Sequence, residues 1–236
     1  MKSPFNTAGY FGKLPIRGDF IQRNLSSDFI SMWDHWLQLV ISSSQKTLGD
    51  QWLNTYLVSP IWRFFLVLEE DQYAGIVLPS VDKVGRYFPF TVAVRIEKKH
   101  NVSNFMAEQD NWYQQAENIA IQALEENINF DQLNQAIDNL HINDTQDISS
   151  VFQHKSKAYH IELKNYSLDM AVAQLQSSAG LMNNSREITY WWHTSLPQNT
   201  GHMLCYLGMP DDNIYVAMLD GQWQMSHANH VDRQQH

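Results

Sequence analysis

The sequence is poor in cysteine, in basic side chains and in long apolar stretches. Its one cysteine, Cys205, excludes an internal disulfide. Lysine and arginine total 16 residues and the formal net charge is −9, which argues against a nucleic-acid partner. The apolar runs fall far short of the roughly 20 residues that cross a bilayer, and the first residues lack a signal-peptide pattern. These absences predict a cytoplasmic protein without membrane insertion.

What is present is a large supply of core-forming side chains. Hydrophobic residues make up 44% of the chain and aromatic residues 12%, including eight tryptophans. A chain of 236 residues with this content can fill a sizeable core. We therefore predict a folded domain over residues 1–225, either undivided or of two lobes at about 1–140 and 158–225, followed by a polar tail at 226–236.

Apolar periodicity predicts the order of helices and strands. Helices are predicted at 28–41 with Ser26 or Ser27 as N-cap, near Trp52–Tyr56, at 103–127, after Asn129, and at 168–182 with Ser167 as cap. A short strand that breaks into a tight loop is predicted within 9–20. Further strands are predicted at 61–68 and 73–78 as a hairpin, and at 86–96, 158–163, 188–193, 203–208 and 214–219. Pro89 places the 86–96 strand at an edge or a bulge. Because strands cluster in groups, the pattern favours an α+β fold with a largely antiparallel sheet flanked by helices, and a second, smaller lobe.

Several reactive side chains have ordinary interpretations. Cys205 lies inside an apolar strand pattern, where a free thiol behaves as a small buried hydrophobe. His227, His230 and His236 are close in sequence but lack the helical spacing that fixes metal ligands. The sequence therefore predicts no catalytic residue, no metal site and no cofactor.

One charged loop leaves two interpretations open. The segment from Leu78 to Pro89 joins two predicted strands and contains Asp82 and Arg86. Charged loops between buried strands are favoured places for recognition residues. Equally, Asp82 and Arg86 could form a local ion pair that holds the turn.

Five blocks of sequence, in order and spacing, resemble the TagF family of type VI secretion accessory proteins. They are Gly9-Tyr-Phe-Gly-Lys-Leu-Pro-x-Arg-Gly-Asp-Phe20, Trp33-Asp-x-Trp-Leu37, Leu48-Gly-Asp-x-Trp52, Ser59-Pro-Ile-Trp-Arg-Phe64 and Leu78-Pro-Ser-Val-Asp-x-Val-Gly-Arg-Tyr-Phe-Pro89; the pair Trp191-Trp192 is similar to the family's later part. The resemblance implies a longin-like sheet with flanking helices. It also implies a non-enzymatic cytoplasmic repressor of secretion-system assembly or firing, which acts after translation by binding a forkhead-associated-domain scaffold protein.

The site expected from these blocks is a protein-binding surface of four charged residues, Arg17, Asp19, Asp82 and Arg86. It requires the two glycine-containing loops that carry them to lie close together. Two other functions remain open at this point. The first is a hydrolase that uses Asp82, Ser80 and a histidine brought near by folding; the second is a structural subunit of the secretion apparatus.

Overall fold

A computed structural model describes residues 5–68, 71–97, 100, 102–125, 129–142, 158–163, 171, 187–193, 201–223 and 229–230. Its strands are β1 (Ala8–Gly12), β2 (Ile21–Arg23), β3 (Trp62–Leu68), β4 (Asp71–Leu78), β5 (Phe90–Ile96), β6 (Ala158–Glu162), β7 (Glu187–His193), β8 (His202–Leu207) and β9 (Asn229–His230). Its helices are α1 (Ser27–Leu48), α2 (Trp52–Val58), α3 (Val102–Glu108), α4 (Asp110–Ala123), α5 (Phe130–Asp138) and α6 (Asp212–Asp220), with a 3-10 turn at Gly49–Gln51.

The strands form one sheet in the order β2-β1-β5-β4-β3-β7-β8-β6-β9. All neighbours pair antiparallel except β6 and β9, which are parallel. This architecture confirms the predicted α+β class with a largely antiparallel sheet flanked by helices. Because β3 pairs with β7, strands from both predicted lobes belong to the same sheet.

Helices cover both faces of the sheet. On one face, Phe65, Val92 and Val94 belong to a core cluster with residues of α3, α4 and α5, such as Trp112 and Ile137. On the other face, a second cluster joins Phe64, Trp191 and Leu204 to residues of α1, α2 and α6, such as Trp33. Alternate residues of a strand point to opposite faces, so neighbours such as Phe64 and Phe65 serve different cores.

Local capping signals explain where the helices begin. The Ser26 side chain accepts a hydrogen bond from the Phe29 amide at the start of α1, and the Asn129 side chain accepts one from the Asp131 amide at the start of α5. Such caps satisfy amides that lack a partner within the helix. The predicted hairpin of β3 and β4 is also present, with seven paired positions from Trp62↔Val77 to Leu68↔Asp71.

The predicted strand at 86–96 needs correction. β5 begins only at Phe90 and lies between β1 and β4, so it is an interior strand and all seven of its residues are buried. Pro89 immediately precedes the strand, where its missing amide costs no ladder hydrogen bond. Tyr87 forms an isolated bridge with Val81 instead.

Two other predictions were wrong. Residues 214–219, predicted as a strand, lie in α6, which Asp211 caps at its start and Gly221 ends with a left-handed conformation. The single helix predicted at 103–127 is two helices that meet at the buried Gln109. The predicted helix at 168–182 lies almost wholly outside the described residues.

Strand register places two loops at one end of the sheet. Gly12 at the end of β1 pairs with Phe90 at the start of β5, and Leu78 at the end of β4 also pairs with Phe90. The chain leaving β1 and the chain joining β4 to β5 therefore emerge side by side. These are the loops that carry the predicted site.

Candidate protein-binding site

The loop after β1, residues 13–20, and the loop between β4 and β5, residues 79–89, contact each other through hydrogen bonds. The Lys83 amide donates to the Arg17 carbonyl at 3.0 Å. Arg86 Nη2 donates to the Gly18 carbonyl, and Ser80 Oγ donates to the Lys13 carbonyl at 2.7 Å. The structure thus brings together the two loops that the sequence analysis placed in one surface. We call this region the paired-loop surface and define its exposed members as Arg17, Asp19, Phe20, Lys83, Val84 and Arg86.

Two glycines allow the loops to adopt this arrangement. Gly12 has φ of +136°, and a Cβ placed there would lie 2.1 Å from the Pro89 carbonyl oxygen. Gly85, at φ of +84°, closes the turn over Asp82, because its amide donates to the Asp82 carbonyl at 3.0 Å. Side chains other than glycine are strained at such φ values. The first glycine thus permits close approach of the loops and the second permits the tight turn.

Asp82 lies beneath the paired-loop surface and bonds to residues of both loops. Its Oδ2 accepts hydrogen bonds from Lys13 Nζ at 2.8 Å and Arg86 Nε at 2.7 Å. Its Oδ1 accepts from the amides of Val84 and Arg86, each at 2.9 Å. The bonds from the two amides hold the turn between β4 and β5. The bond from Arg86 orients its guanidinium, which also bonds to Gly18 of the other loop.

The electrostatics of Asp82 follow from these contacts. Burial alone would raise the pKa of the Asp82 carboxyl. The hydrogen bonds donated by Lys13, Arg86 and the Val84 amide outweigh that effect and hold the pKa well below its ordinary value. Asp82 is therefore ionised throughout the physiological range.

Tyr56 of α2 supports the same loop from the side. Its hydroxyl accepts from the Ser80 amide at 3.0 Å and donates to the Ser80 carbonyl at 3.1 Å. The ring stacks on Trp52 and meets the edge of Tyr87. Burial raises the pKa of Tyr56 far above its ordinary value, so the hydroxyl stays protonated and can make both bonds. Helix α2 thereby fixes the base of the loop while its tip stays exposed.

The four predicted site residues occupy different environments. Arg17 and Asp19 are exposed, and the Arg86 side chain is 58% exposed. The Asp82 side chain has no exposed area. Asp82 therefore holds the surface together and cannot touch a partner directly. The ion-pair interpretation of Asp82 and Arg86 is correct, and Arg86 at the same time reaches the solvent.

Sequence reasoning missed three contributors to the surface. Phe20 is 47% exposed, stacks on Phe11 and meets the edge of Phe88. Val84, at the tip of the turn, is 67% exposed. Lys83 is exposed beside Arg17. Phe20 and Val84 are named in the quoted blocks and Lys83 occupies the unspecified position x, but only the fold shows that the three residues lie in the same surface.

Ser80, Asp82 and Cys205, the side chains considered for catalysis, are buried. Ser80 is buried and its hydroxyl donates to a carbonyl oxygen, while the four donors on Asp82 come from Lys13, Val84 and Arg86. None of these hydrogen bonds joins the Ser80 hydroxyl to a side chain that could act as its base. Burial raises the pKa of the Cys205 thiol, which keeps it in the unreactive protonated form.

Among the described residues, no group of three or more His, Cys, Asp or Glu is placed to hold a metal ion. His230 lies in β9, whereas His227 and His236 are outside the described residues. In the same part of the chain, no helix combines the length and apolar character needed to cross a bilayer.

The fold and the paired loops define a class of protein: an α+β domain with an exposed, rigidly supported loop surface. The model of a known family, the type VI secretion system-associated TagF N-terminal domain, matches residues 9–140. This match covers more than half of the chain and includes both loops. The chain therefore belongs to the TagF N-terminal domain family.

A solved structure is similar over most of the chain. The crystal structure of PA0076 from Pseudomonas aeruginosa PAO1 is similar with a TM-score of 0.70 and 28% sequence identity. The alignment covers 92% of this chain and 95% of that one, so the likeness extends well beyond residue 140. A search of curated proteins finds no match.

Proposed function

We propose that this chain is a cytosolic repressor of type VI secretion that acts after translation and is not an enzyme. In this proposal it binds a forkhead-associated-domain scaffold protein of the secretion system and thereby prevents assembly or firing. Membership of a type VI secretion-associated family supports the process. The forkhead-associated-domain scaffold is inferred as partner from the resemblance to the TagF family.

The observation that carries the proposal is the paired-loop surface itself. Arg17, Asp19 and Arg86 are exposed. The Arg86 side chain is held by hydrogen bonds to Asp82 and to the Gly18 carbonyl, and the Arg17 carbonyl accepts from the Lys83 amide, so both arginines stand on bonded loop segments. A rigid surface that presents arginine and apolar side chains loses little conformational entropy when it binds a protein. The buried groups that could have served an enzyme, Ser80 and Asp82, are already occupied in holding the loops.

A binding assay with purified proteins tests this function. The wild-type chain and the scaffold of the same secretion system are mixed, and affinity is measured by interferometry. Arg17→Ala is the informative variant, because Arg17 lies over the Phe130 ring without a salt bridge to any described carboxylate. Lys46→Ala, on the exposed side of α1, is the matched control.

Reversible binding that weakens several-fold in Arg17→Ala, with Lys46→Ala unchanged, supports the repressor and its surface. Circular dichroism must show both variants folded. If the folded wild-type chain does not bind the scaffold, the proposed mechanism is wrong. Stable incorporation at fixed stoichiometry into purified secretion apparatus would instead indicate a structural subunit.

A further inference from the structure

The paired-loop surface carries a charge opposite to that of the molecule as a whole. Its two loops contain four basic residues, Lys13, Arg17, Lys83 and Arg86, and two acidic ones, Asp19 and Asp82, which leaves +2. The whole chain carries −9. A basic patch on an acidic protein steers and orients an acidic partner, because the patch attracts that partner while the remaining acidic surface repels it.

The exposed part of that patch keeps the charge of +2, because Lys13 and Asp82 are both buried and cancel each other. Asp82 is buried and is already paired with Lys13 and Arg86. Within the described ranges, no carboxylate lies at salt-bridge distance from Arg17 or Lys83. The Lys83 amide bonds to the Arg17 carbonyl, so these two cations stand on adjacent backbone segments.

Apolar side chains flank the cations. Phe20 stacks on Phe11, contacts Phe88 edge to face and remains 47% exposed. Val84 stands at the tip of the turn, next to Lys83. Protein interfaces commonly combine aromatic and other apolar side chains with arginine, as this surface does.

From this composition we propose that the paired-loop surface binds an acidic segment of the partner protein, with a bulky apolar side chain of that segment seated against Phe20 and Val84. This inference rests on the proposed function, since the scaffold provides the segment. It adds the chemistry of recognition: carboxylates of the partner meet Arg17, Lys83 and the exposed part of Arg86. Asp19, the single exposed carboxylate of the two loops, opposes this contact and limits its strength.

The first test reverses charge at the surface. In Arg17→Glu with Lys83→Glu, affinity for the purified scaffold is expected to fall at least about tenfold, and the dependence of affinity on salt concentration is expected to flatten. Lys46→Glu makes the same type of change on α1 and should alter affinity less than about twofold. Arg86 is left intact, because it also holds the turn.

Asp19→Asn separates an acidic partner from a basic one. If the partner segment is acidic, removal of this carboxylate strengthens binding by roughly two- to threefold. If Asp19 pairs with a cation of the partner, the same variant weakens binding, and the inference is overturned. The amide keeps the size of the side chain, so a packing change does not confuse the result.

A third test locates the segment. A photoreactive phenylalanine analogue is placed at Val84, and at Leu39 of α1 as control, which is 55% exposed. After irradiation with the purified scaffold, mass spectrometry identifies the attached peptide. A peptide rich in Asp and Glu, joined from position 84 and not from position 39, supports the inference.

The outcomes distinguish the two proposals. Scaffold binding that is insensitive to the double charge reversal, or attachment to a basic or neutral peptide, overturns the acidic-segment inference and leaves the repressor function standing. Absence of any binding by the folded wild-type chain overturns both. Loss of binding in Lys46→Glu as well would show a nonspecific charge effect and also contradicts the inference.

Discussion

Among the described residues, two buried ion-pair clusters have opposite arrangements of charge. At the interface between β3 and α4, the buried ion is a cation: the Arg63 side chain is 3% exposed, and its partners Asp110 and Glu117 are 50% and 23% exposed. At the paired loops the buried ion is an anion, Asp82, and one of its cations, Arg86, faces solvent. The first arrangement presents acidic groups to solvent, and the second presents a basic one.

The two clusters also differ in what they hold. Arg63 Nε and Nη2 donate to Glu117 at 2.6 and 3.0 Å, and Nη1 donates to Asp110 at 2.6 Å, which fastens a helix to the sheet. Burial disfavours the charged guanidinium, but the bonds to Glu117 and Asp110 outweigh this and raise the pKa of Arg63. Asp82 fastens one loop to another instead. The comparison teaches that a buried anion can join two loops through Lys13 and still leave a second cation, Arg86 of its own loop, accessible to solvent.

Removal of Asp82 should have the largest effect on stability. In Asp82→Ala, Lys13, whose side chain is 7% exposed, loses its counter-ion, and the Val84 and Arg86 amides lose their acceptor. An uncompensated buried charge costs about 3–5 kcal/mol, and the lower end applies here because the pair lies beneath an exposed turn. Denaturant unfolding measures the loss. Asp19→Ala, an exposed neighbour, should change the free energy of unfolding by less than about 0.5 kcal/mol.

A loss in Asp82→Ala no larger than in Asp19→Ala would contradict the structural role of this carboxylate. A double-mutant cycle with Lys13→Met gives an independent check. The double variant should be less destabilised than the sum of the single variants, because the apolar side chain no longer needs a counter-ion. Simple additivity would show that Lys13 and Asp82 do not interact.

Arg63→Met should cost less, about 2 kcal/mol. Methionine occupies part of the volume of the buried side chain, and the carboxylates left behind are partly exposed, so water replaces the lost donors. Thermal and denaturant unfolding measure the change, with Lys46→Met as the exposed control. A loss larger than that of Asp82→Ala would reverse the proposed contrast between the two clusters.

The pH dependence of stability sharpens the contrast further. The folded-state pKa of Asp82 is lowered, so its contribution is fully present above the unfolded-state pKa of about 4 and declines as pH falls toward the folded value. The difference in unfolding free energy between wild type and Asp82→Asn should stay constant from pH 7 to 5 and shrink by about 1 kcal/mol by pH 3. A constant difference down to pH 3 would show that the carboxyl is not linked to folding.

Sequence patterns predicted those features whose physical causes are local. The Ser26 and Asn129 caps and the hairpin of β3 and β4 depend on residues close together in the chain. The Asp82 and Arg86 pair lies within one turn and was one of two stated interpretations. These predictions succeeded because the signal and the structure share the same few residues.

Wrong predictions arose where a helix is buried on several sides, because its apolar residues then no longer recur at the helical period. Helix α6 buries five of its nine residues, so its apolar pattern was mistaken for a strand, although Asp211 before it and Gly221 after it are a start and a stop signal for a helix. The break at Gln109 has no glycine or proline to mark it. Lys13 as the partner of Asp82 is 69 residues away in sequence, and only strand register shows that the two loops meet.

Arg86→Lys is the finest test of the comparison, because it keeps the charge and changes only the geometry. A lysine ammonium can still pair with Asp82 but lacks the fork that lets Arg86 reach Asp82 and the Gly18 carbonyl together. Global stability should fall by only about 0.5 kcal/mol. Native-state hydrogen exchange should instead speed up at the Lys83 amide, which bonds to the Arg17 carbonyl, while amides in β3 and α4 stay unchanged. Unchanged exchange at Lys83 would mean that backbone bonds alone hold the loops together, and Arg86 would then serve only as an exposed cation for a partner.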